Sequence, residues 1–311
     1  MSDLCLITGG AGFIGSHIAR RLIARGDTVR VLDDLSTGDR ANLEGLDVDL
    51  RVGSILSPSA LPSAMQGCRY VFHLAAQVSV PASMDDPAHT HEVNTTGTMR
   101  VYEAARAAGV ERCVLSATCA VYGDEPTLPK RETSVLAPAS PYAASKLAGE
   151  IYGQVWTRGL GLEVVALRYF NVFGPRQSPD GGYAAAIPVF ATRLIAGKPV
   201  TIFGDGGATR DFVFIDNVVD ANLRAAVAPG VAGQVFNIGT GVQTSVLDLY
   251  RTIRDAAGSS AEPSFGPERA GDIRHSVGDI SLARDVLGWT PRVGIAEGLQ
   301  QTVAWYLQDS N

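Results

Sequence analysis

The chain has 311 residues, room for one large domain or two modest ones. Its 46% hydrophobic and 19% charged content describes a globular protein with an ample core, and a formal net charge of −6 argues against a nucleic-acid footprint. No apolar run approaches the roughly 18 residues of a membrane span. The N-terminus enters an apolar strand with no basic region before it and no small-residue cleavage site after it. Cys5, Cys68, Cys113 and Cys119 fall in or beside apolar segments without metal-ligand spacing. They read as reduced thiols of a cytoplasmic protein, and no metal is expected. His89 and His91 stand two apart with no further ligand in sight.

Leu4–Thr8 is long enough for a buried strand, and an amphipathic helix ends near Gly26. Between them lies Gly9-x-x-Gly12-x-x-Gly15. Strand, glycine turn and helix in this order let a backbone approach a pyrophosphate, while the helix N-terminus offers N–H donors. A tight turn with no ligand is the competing reading. The second strand, Thr28–Leu32, runs into Asp33-Asp34. An acid about 20 residues beyond the glycines sits where a carboxylate accepts from an adenosine ribose. It would repel a 2′-phosphate, and no arginine follows at once, so NAD is expected over NADP. Strand-like runs recur at 48–52, 70–74 and 113–116, with helical patterns over 58–66 and 87–108. The alternation predicts a parallel sheet covered on both faces.

Ser140-Pro141 predicts the next helix start, an N-cap followed by a proline at the first helical position. Tyr142 and Lys146 then share a face. A phenol with pKa near 10 is a poor base at neutral pH, and a nearby ammonium is expected to lower it. Many helices carry Tyr-x-x-x-Lys, so an ordinary amphipathic helix is the alternative. An apolar strand over 162–167 leads to Arg168-Tyr169-Phe170-Asn171. Beyond it, 174–182 is rich in glycine and proline, and a domain boundary is placed there. Short strands and helices follow, the helices near 184–196, 216–227, 245–257, 281–287 and 295–307.

Thr8-Gly9-Gly10-x-Gly12-Phe13-Ile14-Gly15, Ser116-Ala117-Thr118-Cys119-Ala120-Val121-Tyr122-Gly123 and the Tyr142–Lys146 pair together resemble the extended short-chain dehydrogenase/reductase superfamily. Within it the chain looks most like the nucleotide-sugar 4-epimerases, especially the branch acting on UDP-N-acetylglucosamine. The supporting segments are 73–80, 168–174, 181–188, 204–212 and 271–276. The resemblance implies a Rossmann-type doubly wound parallel α/β sheet over 1–171, joined by returning segments near 212–240, and a smaller mixed α/β UDP-sugar domain over 172–311.

It also implies roles. Tyr142 would be the base, Lys146 its partner and holder of the nicotinamide ribose, and Thr118 the hydroxyl on the sugar O4. NAD would lie along Gly9, Gly12, Phe13, Ile14, Gly15 and Asp33. Around it the resemblance sets Ser36, Thr37, Gly38, Ser54 and Ile55. Leu74, Ala75, Ala76, Gln77, Asn94, Ser116, Tyr169, Asn171 and Val172 complete the expected cofactor set. Asn171, Arg210 and Arg269 would hold the UDP phosphates, Phe203 the uracil and Asp272 the uridine ribose. Ser79, Ala185, Ala186 and Ser276 would line the sugar nucleotide. Each has a plainer reading as a cap, core or surface residue.

Where related dehydratases and decarboxylases carry carboxylates after the Thr, this chain has Cys119 and Ala120, which points away from both activities. Two departures matter. Ser54 stands where the family often has an adenine-binding Asp. Ser276 stands where UDP-glucose-restricted epimerases have a bulky Tyr, leaving room for an N-acetyl group. The expected reaction is a 4-epimerisation of UDP-sugars. A UDP-glucuronate 4-epimerase, another nucleotide-sugar enzyme on this scaffold and a non-catalytic NAD-binding sensor are the rivals. A homodimer through the helices near 92–108 and 142–157 is also expected, on small residues including Ala104, Ala105, Ala143, Ala144, Ala148 and Gly149.

Overall fold

The computed structural model describes residues 2–179, 185–268 and 273–309. The chain opens with β1 (Leu4–Thr8), α1 (Phe13–Ala24), β2 (Thr28–Asp33), β3 (Val48–Val52), α2 (Ala60–Met65) and β4 (Tyr70–His73). Two short helices, α3 (Val80–Asp85) and α4 (Pro87–His91), lead through a widened π-type turn, Glu92–Thr96, into α5 (Gly97–Ala107). Then come β5 (Arg112–Thr118), α6 (Pro141–Val155), β6 (Glu163–Tyr169), β7 (Asn171–Phe173), α7 (Ala186–Ile195), β8 (Thr201–Phe203), β9 (Thr209–Arg210) and β10 (Phe212–Phe214). The chain closes with α8 (Ile215–Val227), β11 (Val235–Ile238), β12 (Thr244–Ser245), α9 (Val246–Ala256), β13 (Ser264–Gly266), α10 (Ser281–Asp285) and α11 (Ile295–Asp309).

The large sheet has seven strands in the order β11-β6-β5-β4-β1-β2-β3. All its pairings are parallel. Such a sheet is buried on both faces, which is why β5 is buried at every residue. Successive side chains go to opposite layers. Ile7 and Val31 join the core with Ile18 and Leu22 of α1, whereas Leu6 and Leu32 join Val101 and Tyr102 of α5. The sheet is the expected doubly wound one. Strand order reverses between β1 and β4, so their carboxyl ends open the crevice where such folds bind ligands.

One expectation needs correction. The helix predicted over 87–108 is interrupted by the π-type turn at Glu92–Thr96. Glu92–Thr96 holds no glycine or proline, so no breaker marks the widening in the sequence. Its effect is to place Asn94 in the interior, 2% exposed. Beyond 171 the chain leaves the large sheet, returns once as β11, and otherwise builds two-stranded pairs around α7, α9 and α11.

Candidate active site

The glycine turn is shaped by close approach. Gly9 has φ +71°, and a Cβ there would fall 2.7 Å from the Ala75 amide nitrogen. A Cβ on Gly15 would fall 2.3 Å from the Gly9 carbonyl oxygen. At Gly12, the N-cap of α1, a Cβ would meet only the Gly9 oxygen, at 3.3 Å. Gly12 and the half-buried Phe13 and Ile14 therefore present an open backbone face at a helix N-terminus. At the end of β2 the Asp33 carboxylate accepts from Ala11 N and Leu35 N, both at 2.9 Å. Burial pushes its pKa up, while those two donors pull it down. Gly38 closes on the same carboxylate, with no room for a side chain, and Ser36 and Thr37 stay exposed beside it. Ser36 donates to Asp34 at 2.6 Å.

The next expected contacts divide. Ser54 accepts from Leu56 N at 3.2 Å, a local turn bond. The Ile55 side chain is core, 4% exposed and packed beneath Gly97, so only its backbone is free to meet a cofactor. Leu74 N continues the strand ladder onto Thr8 O, and the half-buried Ala75 and Ala76 follow. Gln77 is clamped by Asn94, which accepts from Gln77 N at 2.7 Å and donates to Gln77 O at 2.9 Å. The Gln77 Oε1 atom is buried with no protein partner. An orphaned acceptor beside an open glycine cradle fits a polar cofactor lying across this edge. Ser79 caps α3 by accepting from Ala82 N at 3.2 Å.

Ser140 accepts from Ala143 N at 3.2 Å and Pro141 opens α6, as its sequence dictates. This start sets Tyr142 against the end of β5, where the Thr118 hydroxyl, which accepts from Ala120 N at 3.2 Å, lies near enough to favour the phenolate. Lys146, 6% exposed, donates to Ser116 Oγ at 3.2 Å. Here the expected electrostatics are corrected. Tyr142 is half-buried, and burial pushes its phenol up to about 12, with the Thr118 hydroxyl pulling the other way. Burial likewise pushes Lys146 down to about 8, with Glu150 pulling the other way. The lowering of Tyr142 expected from Lys146 is therefore not what opposes desolvation; that opposition comes from Thr118. The Cys119 thiol feels Asp211 and Arg210 and itself bears on Tyr142, so the two halves of the chain meet there. Burial pushes that thiol up to about 12.

On the far side of the crevice Asn171 is exposed at the start of β7 and Val172 is half-buried. Tyr169 turns inward instead. Its phenol donates to Asn222 at 2.9 Å, so its side chain serves the core and not a ligand. Ala185 is exposed just before α7, and the half-buried Ala186 begins it. Arg210 donates to Thr209 O and Arg274 O, at 2.9 and 3.3 Å. Ser276 N donates to Thr209 O at 3.1 Å, which brings Ser276 and Arg210 onto adjoining backbone. Phe203, 43% exposed, lines a cavity of about 80 Å³ with Gly204, Asp205, Ala208, Glu268, Ile273 and Arg274. Arg269 and Asp272 lie outside the described residues.

Two residues here escaped the sequence. Arg274 pairs with Asp205 at 2.7 Å and Glu268 at 3.1 Å on the cavity wall. Asp211, fully buried, accepts from Thr240, Gly241 and Gly278 and so fixes the loop ends behind Arg210. Its partners are distant in sequence, and only the neighbouring Arg210 hinted at it.

Comparison with known proteins agrees with this geometry. The NAD dependent epimerase/dehydratase family model matches residues 5–239. A UDP-glucose 4-epimerase of Mycolicibacterium smegmatis is 45% identical over 311 residues, covering 98% of this chain and 99% of the relative. The crystal structure of UDP-glucose 4-epimerase from Thermotoga maritima with UDP-glucose superposes at TM-score 0.94 and 39% identity, covering 99% of this chain and 100% of the other. A UDP-N-acetylglucosamine 4-epimerase from Methanobrevibacter ruminantium, in complex with UDP-N-acetylmuramic acid, does so at TM-score 0.95 and 35% identity with the same coverage. With the family model spanning the glycine cradle, the Thr118–Tyr142 pair and the last strand of the sheet, the chain is an enzyme of the NAD dependent epimerase/dehydratase family, and NAD is its cofactor.

Proposed function

We propose that this enzyme is an isomerase, a UDP-sugar 4-epimerase that interconverts UDP-glucose and UDP-galactose and accepts the N-acetylated pair as well. The convergence of Tyr142 and Thr118 at the end of β5, with Lys146 one helical turn away and donating to Ser116 Oγ at 3.2 Å, carries this reading. Bound NAD supplies a reversible hydride acceptor and, when oxidised, a positively charged ring. Tyr142, whose buried phenol that positive charge would draw back toward the phenolate, takes the proton from the sugar O4, directly or through Thr118, and gives it back once the 4-keto sugar has presented its other face. Lys146 stays largely charged at neutral pH and holds the nicotinamide ribose.

Residues 1–171 and the segments returning near 212–240 serve the cofactor; the rest of 172–311 serves the sugar nucleotide. Arg210 and Asn171, with Arg269, grip the diphosphate, and Phe203 lies against the uracil. Binding energy from the nucleotide then anchors a sugar that must be free to turn. Cys119 and Ala120 supply no carboxylate for elimination or decarboxylation. The small, half-buried Ser276 favours the N-acetyl sugars as additional substrates.

Ala144, Ala148, Ile151 and Val155 form one stripe along α6, with Ile151 and Val155 54% and 50% exposed. The stripe supports a homodimer through this helix, whereas Ala105, Ala143 and Gly149 pack inward. Four free cysteines support a reducing, cytoplasmic setting.

The test is NMR of the purified enzyme with NAD, given UDP-glucose, UDP-N-acetylglucosamine or UDP-glucuronate separately. Galacto products from the first two support the reading. Conversion of UDP-glucuronate alone, or of none, overturns it.

A further inference from the structure

Thr8, His73, Thr98 and Asn94 are all buried, at 0%, 1%, 3% and 2% exposure. They form one chain of hydrogen bonds across the switch point of the sheet. The direction of every bond in it can be worked out. Thr98 Oγ1 stands 2.5 Å from the Asn94 carbonyl, which can only accept, so the Thr98 hydroxyl gives its proton there. His73 Nε2, 2.9 Å from Thr98 Oγ1, must therefore carry a proton and donate. In a neutral ring Nδ1 is then bare, and at 2.7 Å it accepts from the Thr8 hydroxyl. Thr8 Oγ1 in turn accepts from Ala75 N at 3.4 Å.

The chain continues beyond Asn94. Its side-chain amide grips both backbone groups of Gln77 and donates to Ser145 Oγ at 3.0 Å. Ser145 donates to the Tyr142 carbonyl at 2.8 Å. One end of the chain is therefore the amide that lies against Gly9 of the glycine turn. The other end is the first turn of the catalytic helix.

We propose that His73 is a positioning residue for the reaction: a neutral imidazole, fixed as its Nε2–H tautomer, that ties the glycine-loop strand through Asn94 to the helix bearing Tyr142 and Lys146. A protonated ring is disfavoured. Its Nδ1–H would take the second lone pair of Thr8 Oγ1, and the buried Thr8 hydroxyl proton would lose its acceptor. The charge facing the ring is Lys146 on α6, and burial with that charge pushes His73 down to about 3. A neutral ring can thus stand beside the catalytic ammonium without repelling it.

Two measurements on the NAD-loaded enzyme test this. The first is 15N NMR of the histidine rings, with His73→Phe supplying the assignment. His73 should show one N–H nitrogen, Nε2, and one bare nitrogen, unchanged from about pH 5 to 8. An Nδ1–H tautomer, or titration in that range, overturns the proposal. The second compares Thr98→Val, which keeps the shape and removes the acceptor, with Thr98→Ser, which keeps the hydroxyl. Thr98→Val should lower kcat roughly tenfold with sugar KM within about twofold, and Thr98→Ser should restore it. Unchanged kcat in Thr98→Val, or equal loss in both variants, overturns it. This second arm rests on the epimerase reading. Absence of turnover in the unmutated enzyme would count against that reading alone, and the ring NMR would still decide the role of His73.

Discussion

Glu150 and Arg168 form a bidentate ion pair, 2.7 Å at its closest, with side chains 2% and 4% exposed, one helical turn past Lys146. Arg168 also donates to the Tyr122 hydroxyl at 2.9 Å, which donates on to Asn237 at 2.7 Å. Arg168→Met leaves a buried carboxylate without its cation and should cost about 3–5 kcal/mol. Replacing both partners with apolar residues of similar size should recover much of that loss. Urea unfolding of the single and double variants checks it; a single variant within about 1 kcal/mol of the parent would refute the claim.

Lys146 gives a pH-dependent trade between function and stability. Its folded pKa is lowered from 10.5 to about 8 by burial. Between those values the unfolded chain binds more protons, so stability rises with pH across the window, and below it the full cost of the buried charge is present. Lys146→Met should therefore stabilise the cofactor-free protein near pH 7 by roughly 3 kcal/mol and remove turnover. The gain should shrink toward pH 10. Thermal unfolding at pH 7 and 9.5 reads this, and a constant difference would contradict it.

Gly12 and Gly15 separate cofactor binding from folding. A Cβ on Gly15 strikes backbone at 2.3 and 2.7 Å, so Gly15→Ala should lower the melting temperature and lose NAD together. Gly12→Ala meets only one atom, at 3.3 Å, and should keep the melting temperature while NAD binding falls at least tenfold. Calorimetric titration with NAD beside a thermal melt distinguishes them. Equal melting losses would remove the distinction.

Tyr142→Phe deletes the hydroxyl that Thr118 influences at the end of β5. Turnover should drop by about 10²–10⁴, the range for a positioned proton donor or acceptor, with NAD still bound. Thr118→Val should show a smaller loss. Turnover in Tyr142→Phe near that of the parent would move the base elsewhere.

Ser276→Tyr should close space beside Arg210 and select against the N-acetylated sugars by a factor of roughly 10 or more, leaving UDP-glucose turnover within a few-fold. Competition between the two sugars in one tube measures the ratio directly. An unchanged ratio would place the limit on sugar size at another residue.

How far the sequence reached depends on the distance over which each signal acts. The Ser140-Pro141 helix start and the strand-glycine-helix turn are local, and both formed where their residues stand. Tyr169 is expected at the cofactor from its place in a motif; its side chain donates to Asn222 on α8, 53 residues later, so any such contact falls to its backbone. The widened turn that buries Asn94 leaves no mark in the sequence because Glu92–Thr96 contains neither glycine nor proline to signal a break.

The sequence by itself determined the six strands β1–β6 in their order, the glycine cradle, the Asp33 carboxylate at its strand end and the four-residue spacing of Tyr142 and Lys146. Each follows from backbone freedom, capping or helical period within a few neighbouring residues. Only the tertiary structure decided the charge states of Tyr142 and Lys146, the burial of Glu150 against Arg168, and the path from Thr8 through His73 to Asn94. Those depend on how much water the packed layers exclude and on which distant groups then have no partner but one another.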